Sequence, residues 1–407
     1  MRIIFIHQNY PAQFGRFAEY LAKNGWDVHF ATANLKVSQT LIKDVKIHKF
    51  GANREVSKDI HHYLRRTETA ILNAQGFARV ATKLKDNGFD PDIIVAHSGW
   101  GSGSLAKTVW PNAKFVQYLE WWYNYPHIDR LETEEIKVDL EVQAKTLFNN
   151  LPFYTDWAAA DVTLVPTMFQ ANTIPSKLRK SIVVQHDGVD TDFFQPKNVK
   201  SKVKKKLGIP EHAKIITFAT RGMEPHRGFP QFMEAWQEIS KRNSNIHCVI
   251  AGSDTVHYGA KLPSGKTYKD EALSNLEIDK TRTHFVDRLP YDEYRDLLCA
   301  TDCHVYLTLP FVLSWSLLDA MACAAPIVSN FNASVEEVMT DGTTGRLANL
   351  QNIQELVTTI EDMISNPKEA QHFGQNARQV IMDKYSISLI YPQKAQLFEK
   401  MVNSDGR

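Results

Sequence analysis

Thr301-Asp-Cys-His-Val-Tyr-Leu-Thr-Leu-Pro-Phe-Val-Leu-Ser-Trp-Ser-Leu-Leu-Asp-Ala-Met-Ala-Cys-Ala-Ala-Pro-Ile-Val-Ser329 reads as four pieces in a row. Thr301 to Leu309 is short, apolar and β-branched, the pattern of a buried strand. A loop begins at Pro310, and Ser316 to Ala324 reads as a helix stopped ahead of Pro326. Ile327-Val-Ser329 is a second short strand. Strand, loop, helix and strand in this order are the building unit of a parallel α/β sheet. The turn into the helix exposes unpaired backbone N–H groups at the positive end of a helix dipole, which suits a phosphate. Asp319, placed by this reading in the first helical turn, can grip a ribose beside that phosphate. The spacing Ser316-x-x-Asp319 equally fits a capping box, in which the acid bonds the N-cap backbone.

Working outward, the same unit recurs along all 407 residues. That length exceeds one ordinary core and predicts two domains. The net charge of +1 implies no nucleic-acid partner. Apolar and charged fractions of 43% and 23% are those of a soluble globular protein. The opening Met-Arg-Ile-Ile-Phe-Ile reads as a strand and not as a signal peptide, and no apolar run reaches membrane-spanning length. The four cysteines, Cys248, Cys299, Cys303 and Cys323, lie in apolar stretches without zinc-like spacing. They read as reduced core thiols in a cytoplasmic protein with no metal site.

In the first half, Arg2 to His7 is a strand, Phe14 to Asn24 a helix and Asp27 to Ala31 the next strand. The loop His7-Gln-Asn-Tyr-Pro-Ala-Gln-Phe-Gly15 lies at a strand's C-terminal end, where open α/β sheets place ligands. It lacks the G-x-G-x-x-G spacing of a nicotinamide dinucleotide site. His7 and Asn9 are candidate contacts, and Gly15 allows either a close ligand or a tight turn. A long helical pattern runs from His61 to Lys85. The strand Asp92 to Ala96 ends in His97, and Lys114 to Leu119 delivers Glu120 and then Trp121-Trp-Tyr-Asn-Tyr125. A carboxylate at a strand's edge beside aromatic rings can bind sugar hydroxyls or exchange a proton. The competing reading pairs Glu120 with an arginine and packs the aromatics into the core. Arg130 to Phe148 has helical spacing and heavy charge.

Gln195 to Lys206 carries six lysines and reads as a solvated linker at a domain boundary; it also offers charge to an anionic membrane surface or acceptor. The pattern restarts with the strand Lys214 to Ala219, then Thr220-Arg-Gly-Met-Glu-Pro-His-Arg-Gly228 and a helix from Phe229 to Ser240. Arg221 leaves a strand end and Arg227 precedes a helix N-terminus, so two guanidinium groups can clamp a diphosphate. Pairing with Glu224 or an aspartate is the structural alternative. Thr255 to Asp270 reads as a long loop, and Arg288 follows another strand end, where a nucleotide base could stack. The expected domains are 1–195 and 196–387, with a last helix at 388–404 packing back on the first.

Three motifs of the second half resemble those of the family 4 retaining glycosyltransferases. They are Arg221-Gly-x-x-x-x-Arg227-Gly228, Leu317-Leu-Asp-Ala-Met-Ala-Cys-Ala-Ala-Pro326 and Glu336-Glu-Val-x-x-Asp-Gly-x-x-Gly345. The first half is similar only in layout and in the Gly15 loop. The resemblance implies a GT-B fold, two Rossmann-like domains facing each other across a cleft. It also implies a nucleotide-diphosphate sugar bound mainly by the second domain, without an obligatory metal or cofactor. Arg221 matches the arginine that neutralises the donor diphosphate, and Arg227 falls where the family usually has lysine. Ser314, Trp315 and Ser316 are implied to offer backbone N–H groups to the diphosphate. Asp319 matches the second glutamate of the Glu-x7-Glu motif, which binds the ribose. The first, which holds the donor sugar, is Phe311 here, and the glycines after it are Val312 and Ser314. Glu120 falls about where many relatives have a histidine near the reacting centre.

The expected function is a metal-independent retaining glycosyltransferase moving a sugar from a UDP- or GDP-sugar to a glycan or lipid-linked acceptor. Such an activity belongs to cell-surface polysaccharide or glycolipid synthesis. Glu120, Arg221 and Arg227 are its expected catalytic residues. Gly15, Arg288, Ser314, Trp315, Ser316 and Asp319 are donor contacts, and His7, Asn9, His97 and Trp121 sugar or acceptor contacts. The alternatives are an epimerase or phosphorylase on the same fold, or a partner subunit that binds a nucleotide sugar without turning it over. The base, sugar, acceptor, linkage and oligomeric state are left open.

Overall fold

The computed structural model describes residues 1–37, 42–125 and 139–403. The chain divides into two compact units: one runs to Gly188 and resumes at Ser388, the other is Val189–Ile387.

The strands of the first unit are β1 (Arg2–His7), β2 (Asp27–Thr32), β3 (Val45–Lys49), β4 (Ile93–His97), β5 (Lys114–Tyr118), β6 (Val162–Val165) and β7 (Ile182–Val184). They form one parallel sheet in the order β3-β2-β1-β4-β5-β6-β7. Its helices are α1 (Gly15–Lys23), α2 (Arg65–Asp86), α3 (Ala106–Val109), α4 (Leu140–Asn149), α5 (Leu151–Ala159) and α6 (Met168–Thr173). Helices cover both faces, so Ile3, Ile4, Phe5 and Ile6 are all fully buried and the strand is apolar throughout, not alternating. Part of the helical pattern read from Arg130 to Phe148 lies outside the described residues.

The second unit repeats the design. Its helices α7 (Lys200–Leu207), α8 (Phe229–Arg242), α9 (Tyr268–Asn275), α10 (Tyr291–Ala300), α11 (Trp315–Ala322), α12 (Ala333–Glu336), α13 (Ile353–Ser365) and α14 (Pro367–Lys384) surround six strands. These are β8 (Lys214–Gly222), β9 (Ile246–Ser253), β10 (Thr283–Phe285), β11 (Cys303–Tyr306), β12 (Ile327–Asn330) and β13 (Arg346–Ala348), ordered β10-β9-β8-β11-β12-β13 and all parallel. Successive side chains of β8 feed opposite faces: Ile216 and Phe218 join one core, Ile215 and Ala219 another. Both sheets reverse strand order beside their first strand, at β1/β4 and at β8/β11. Ligands of open α/β sheets bind outside the strand ends at such switch points. His7 and His97 end the first pair, and Gly222, just after Arg221, and Tyr306 the second.

The final helix, α15 (Ile387–Asn403), belongs to the first unit from Ser388 onward. Phe398 is fully buried, its ring 5.9 Å from Phe17, and Tyr391 lies 5.2 Å from the same ring. Buried Lys394 sits 3.6 Å from the Asp187 carboxylate, which also accepts a 2.7 Å hydrogen bond from Tyr118.

Three expectations change. The lysine-rich stretch is not an irregular linker but in large part a helix, with most of its lysines still exposed. Lys200–Leu207 is helical, ends at Gly208 in the left-handed region (φ 67°) and buries Lys204. Lys200 pairs with Asp302 at 2.6 Å, Lys202 with Asp296 at 2.9 Å and Lys206 with Glu293 at 2.6 Å. Charge that reads as excess along the chain is matched by acids about a hundred residues further on, which leaves less of it for a membrane. The loop read from Thr255 to Asp270 gives way to α9, started by a capping box between Thr267 and Asp270. Asp319 is not in the first turn of its helix. Ser314 is the N-cap, its hydroxyl accepting the Ser316 N–H at 3.3 Å, so α11 begins earlier than expected and the Ser316/Asp319 capping box does not form.

Candidate functional site

In the second unit, β8 carries a register shift between Ala219 and Gly222 and runs on past the strand end expected from the sequence, so Arg221 lies on it, exposed. The Arg221 guanidinium donates to the Tyr258 hydroxyl at 3.3 Å. Glu224, fully buried, pairs with neither arginine. One of its oxygens accepts the N–H groups of His257, Tyr258 and Gly259 at 3.1, 2.9 and 3.0 Å. Three charge-assisted bonds of this kind fix a loop firmly and hold Tyr258 over the arginines. The Arg227 guanidinium carbon lies 5.2 Å from the centroid of the Tyr258 ring and 5.7 Å from that of Phe311.

A short turn, Pro225–Arg227, then leads into α8 through Gly228. That glycine has φ 63°, and a Cβ there would stand 2.4 Å from the Leu307 Cβ, so no other residue fits without a shift. The turn is held by the Leu309 N–H donating to the His226 carbonyl at 3.0 Å. It directs Arg227 inward, to 5% exposure. Its guanidinium donates to Thr308 Oγ1 at 2.9 Å, Tyr306 Oη at 3.4 Å and the Val312 carbonyl at 3.3 Å. All three acceptors are neutral. Among the described residues no carboxylate comes within ion-pair distance of Arg227. A buried cation without a counter-charge is costly, and an anionic ligand relieves that cost.

The α11 N-terminus adjoins this cation. The Ser314 N–H donates to Tyr306 Oη at 3.1 Å and the Ser316 N–H to its own cap, which leaves the Trp315 N–H as the member of the trio without a protein acceptor among the described residues. Thr220, Arg227, Tyr306, Ser314 and Ser316 line a cavity of about 10 Å³, room for one water. Asp319, half-buried, faces Tyr294 of α10, whose phenol is pushed up by burial and then by this carboxylate. Arg288 is exposed and its charge reaches His257, next to Tyr258. Phe311 contacts Tyr258 at 5.1 Å and His226 at 5.3 Å, an aromatic trio beside the cations.

The first unit assembles a different set. Gln13 donates to the Glu120 carboxylate at 3.0 Å, and His97 Nε2 stands 3.4 Å from its other oxygen. The rings of His97 and His7 meet edge to face at 4.5 Å. Burial, and then His97, hold His7 well below its ordinary value, so it is neutral. His7 Nδ1 lies 2.8 Å from the Asn9 backbone nitrogen and 3.0 Å from the Asn9 carbonyl oxygen. Asn9 itself is exposed. Gly15 is explained by packing: its N–H donates to Pro11, and a Cβ would lie 2.3 Å from the Pro11 side chain. The aromatic run divides. Trp122 enters the core, Tyr123 is held by Arg66 at 2.5 Å, and Trp121 stays half-exposed, 6.3 Å from Phe169. Among the described residues no cluster of three or more His, Cys, Asp or Glu is placed to hold a metal.

The family model for "Glycosyl transferase family 4 group" matches residues 24–194, and that for "Glycosyl transferases group 1" matches residues 199–380. The chain belongs to the family 4 glycosyltransferases.

Other family 4 glycosyltransferases are recognisable at low identity. The GDP-mannose-dependent alpha-(1-6)-phosphatidylinositol monomannoside mannosyltransferase of Mycolicibacterium smegmatis is 21% identical over 56% of this chain and 59% of its own length. The chain thus spans little more than half of that relative. The MMP alpha-(1->4)-mannosyltransferase of Mycolicibacterium hassiacum is 23% identical over 86% of this chain and 72% of its own. Among solved structures, sucrose-phosphate synthase from Thermosynechococcus elongatus superposes with a TM-score of 0.74 at 15% identity, covering 99% of this chain and 100% of its own. HepE from Anabaena, in complex with UDP and glucose, gives 0.73 at 15% identity, covering 98% and 100%. The fold is GT-B.

Residues that sequence reasoning missed are Glu224 as a loop anchor, Tyr258 as a lid over both arginines, and Asp156. Buried Asp156 accepts hydrogen bonds from Ser98 and Ser104 at 2.8 and 2.7 Å, and burial pushes it up to about 6. Within a family 4 arginine motif, the signal for the first of these was an acid two residues after Gly222 and directly before Pro225. Asp156 and Tyr258 had none, because their partners lie far away in sequence.

Proposed function

We propose that this chain transfers a sugar from a UDP- or GDP-linked donor to a glycan or lipid-linked acceptor, with retention of configuration, in cell-surface polysaccharide or glycolipid synthesis. The observation that carries this reading is the buried Arg227 guanidinium, held among the described residues by neutral oxygens beside the start of α11. It supplies a positive charge that a diphosphate neutralises. Arg221 adds a second, exposed charge, and the Trp315 N–H a donor.

When the bond from the sugar to the diphosphate breaks, negative charge collects on the leaving phosphate. Arg227, Arg221 and the helix N-terminus stabilise it there, the largest contribution protein groups make to such a step. The acceptor hydroxyl attacks from the face the phosphate leaves and passes its proton to a phosphate oxygen. Glu120 bonds a hydroxyl of sugar or acceptor, oriented by Gln13 and His97. Asp319 takes the ribose. Relatives named for alpha-linked products support retention, and those named with GDP-mannose, UDP or glucose support the donor class.

The test is a panel of nucleotide sugars and glycans in which free UDP or GDP is followed. Release that depends on acceptor is the expected result. Isomerised donor without acceptor would mean an epimerase, and binding without turnover a partner subunit.

A further inference from the structure

Helices α10 and α11 face each other in two steps. Tyr294 meets Asp319, and about one turn further along each helix Cys299 meets Cys323. Both thiols line a cavity of about 270 Å³ together with Thr301, Asp302 and Gln371. Cys299 is half-buried, and its thiol reaches the Gln195 carbonyl at 3.3 Å. Cys323 is 3% exposed. The pair lies apart from the arginine cluster and takes no part in the proposed transfer.

We propose that Cys299 and Cys323 form a thiol-modification site, a dithiol that a peroxide oxidises to a disulfide joining α10 to α11. The neighbouring Cys323 thiol holds Cys299 below the ordinary thiol value against the opposing effect of burial, while Cys299 and burial push Cys323 up. Cys299, half-buried where Cys323 is closed off, is the thiol a peroxide reaches first, and Cys323 the partner that resolves. The Cys299 thiolate attacks one oxygen of hydrogen peroxide. The O–O bond breaks, hydroxide leaves and a sulfenic acid forms. The Cys323 sulfur attacks that sulfur and displaces hydroxide, which departs as water with the Cys323 proton. Two thiols give up two electrons, and the peroxide is reduced to two waters. Cys248 and Cys303 are fully buried, and burial pushes both thiols up, so they serve as internal controls.

The test uses the full chain. Hydrogen peroxide treatment is followed by iodoacetamide, digestion without reduction and mass spectrometry. A peptide pair linked through Cys299 and Cys323 is expected, lost on dithiothreitol, with Cys248 and Cys303 alkylated only after unfolding. The Cys299→Ser variant should lose the link and show no peroxide-dependent thiol loss. Over-oxidation of Cys299 with Cys323 left free, or Cys299 that stays fully alkylatable, overturns the proposal. The native protein decides this even if a variant fails to fold.

Discussion

The two units use one topology for opposite chemistry. At the β8/β11 switch stand Arg227, buried without a counter-ion among the described residues, and Arg221, exposed, with neutral oxygens around the buried one. At β1/β4 stand a neutral histidine, a second histidine and a carboxylate held by an amide. A parallel sheet only delivers side chains to one edge. What that edge binds depends on the residue ending each strand and on whether its charge is already matched. The second unit leaves a cation unmatched and so calls for an anion. The first brings two histidines and a carboxylate to the ends of β1, β4 and β5, groups that bond hydroxyls and hold protons.

That contrast breaks most visibly at Glu120. Glu120→Gln is expected to lower kcat by about 10–100-fold, the scale of losing a charge-assisted hydrogen bond to a reacting hydroxyl. UDP or GDP affinity, read by calorimetry, should stay unchanged. Near-normal turnover would return Glu120 to a packing role. Next comes Arg227→Met, which keeps the packing and removes the charge: nucleotide diphosphate binding should weaken by about 2–3 kcal/mol, the scale of a desolvated charge-assisted contact. Unchanged affinity would sink the anion reading of the second unit. Arg221→Met is expected to cost less, about 1 kcal/mol, because an exposed charge is screened, and the loss should shrink as salt rises.

The smallest effect at neutral pH belongs to His304, buried beneath the second site with Thr217 2.8 Å from its ring nitrogen. Burial lowers it from 6.5 to about 4. The unfolded chain then binds the extra proton first, so the stability that neutral His304 contributes is complete above about 6.5 and is lost as pH falls toward about 4. Thermal unfolding across that window should show a slope that His304→Gln flattens. An unchanged slope would remove His304 from the account.

The fold was legible because its signals are local. An apolar run such as Ile3-Ile-Phe-Ile6 announces a strand covered on both faces without reference to anything else in the chain. The arginines and the serines around Trp315 were legible for the same reason: they flank a strand end and a helix start. What escaped depends on partners remote in sequence. Lysines look unpaired until Asp296 and Asp302 are brought to them. Glu224 looks like a counter-ion for Arg221 until the amides of residues 257–259 arrive. Two serines competed to cap α11, and the hydroxyl of Ser314, with Tyr306 receiving its N–H, won over Ser316.

The placement of α15 bears on the order in which the protein is made. Phe17 emerges from the ribosome long before the rings it packs against, Tyr391 and Phe398, and the lysine that meets Asp187. Val189–Ile387 has its whole sheet in hand well before then. The unit begun first is therefore completed last, and during synthesis an open apolar face around α1 waits for a helix not yet translated, the interval in which a chaperone would find it.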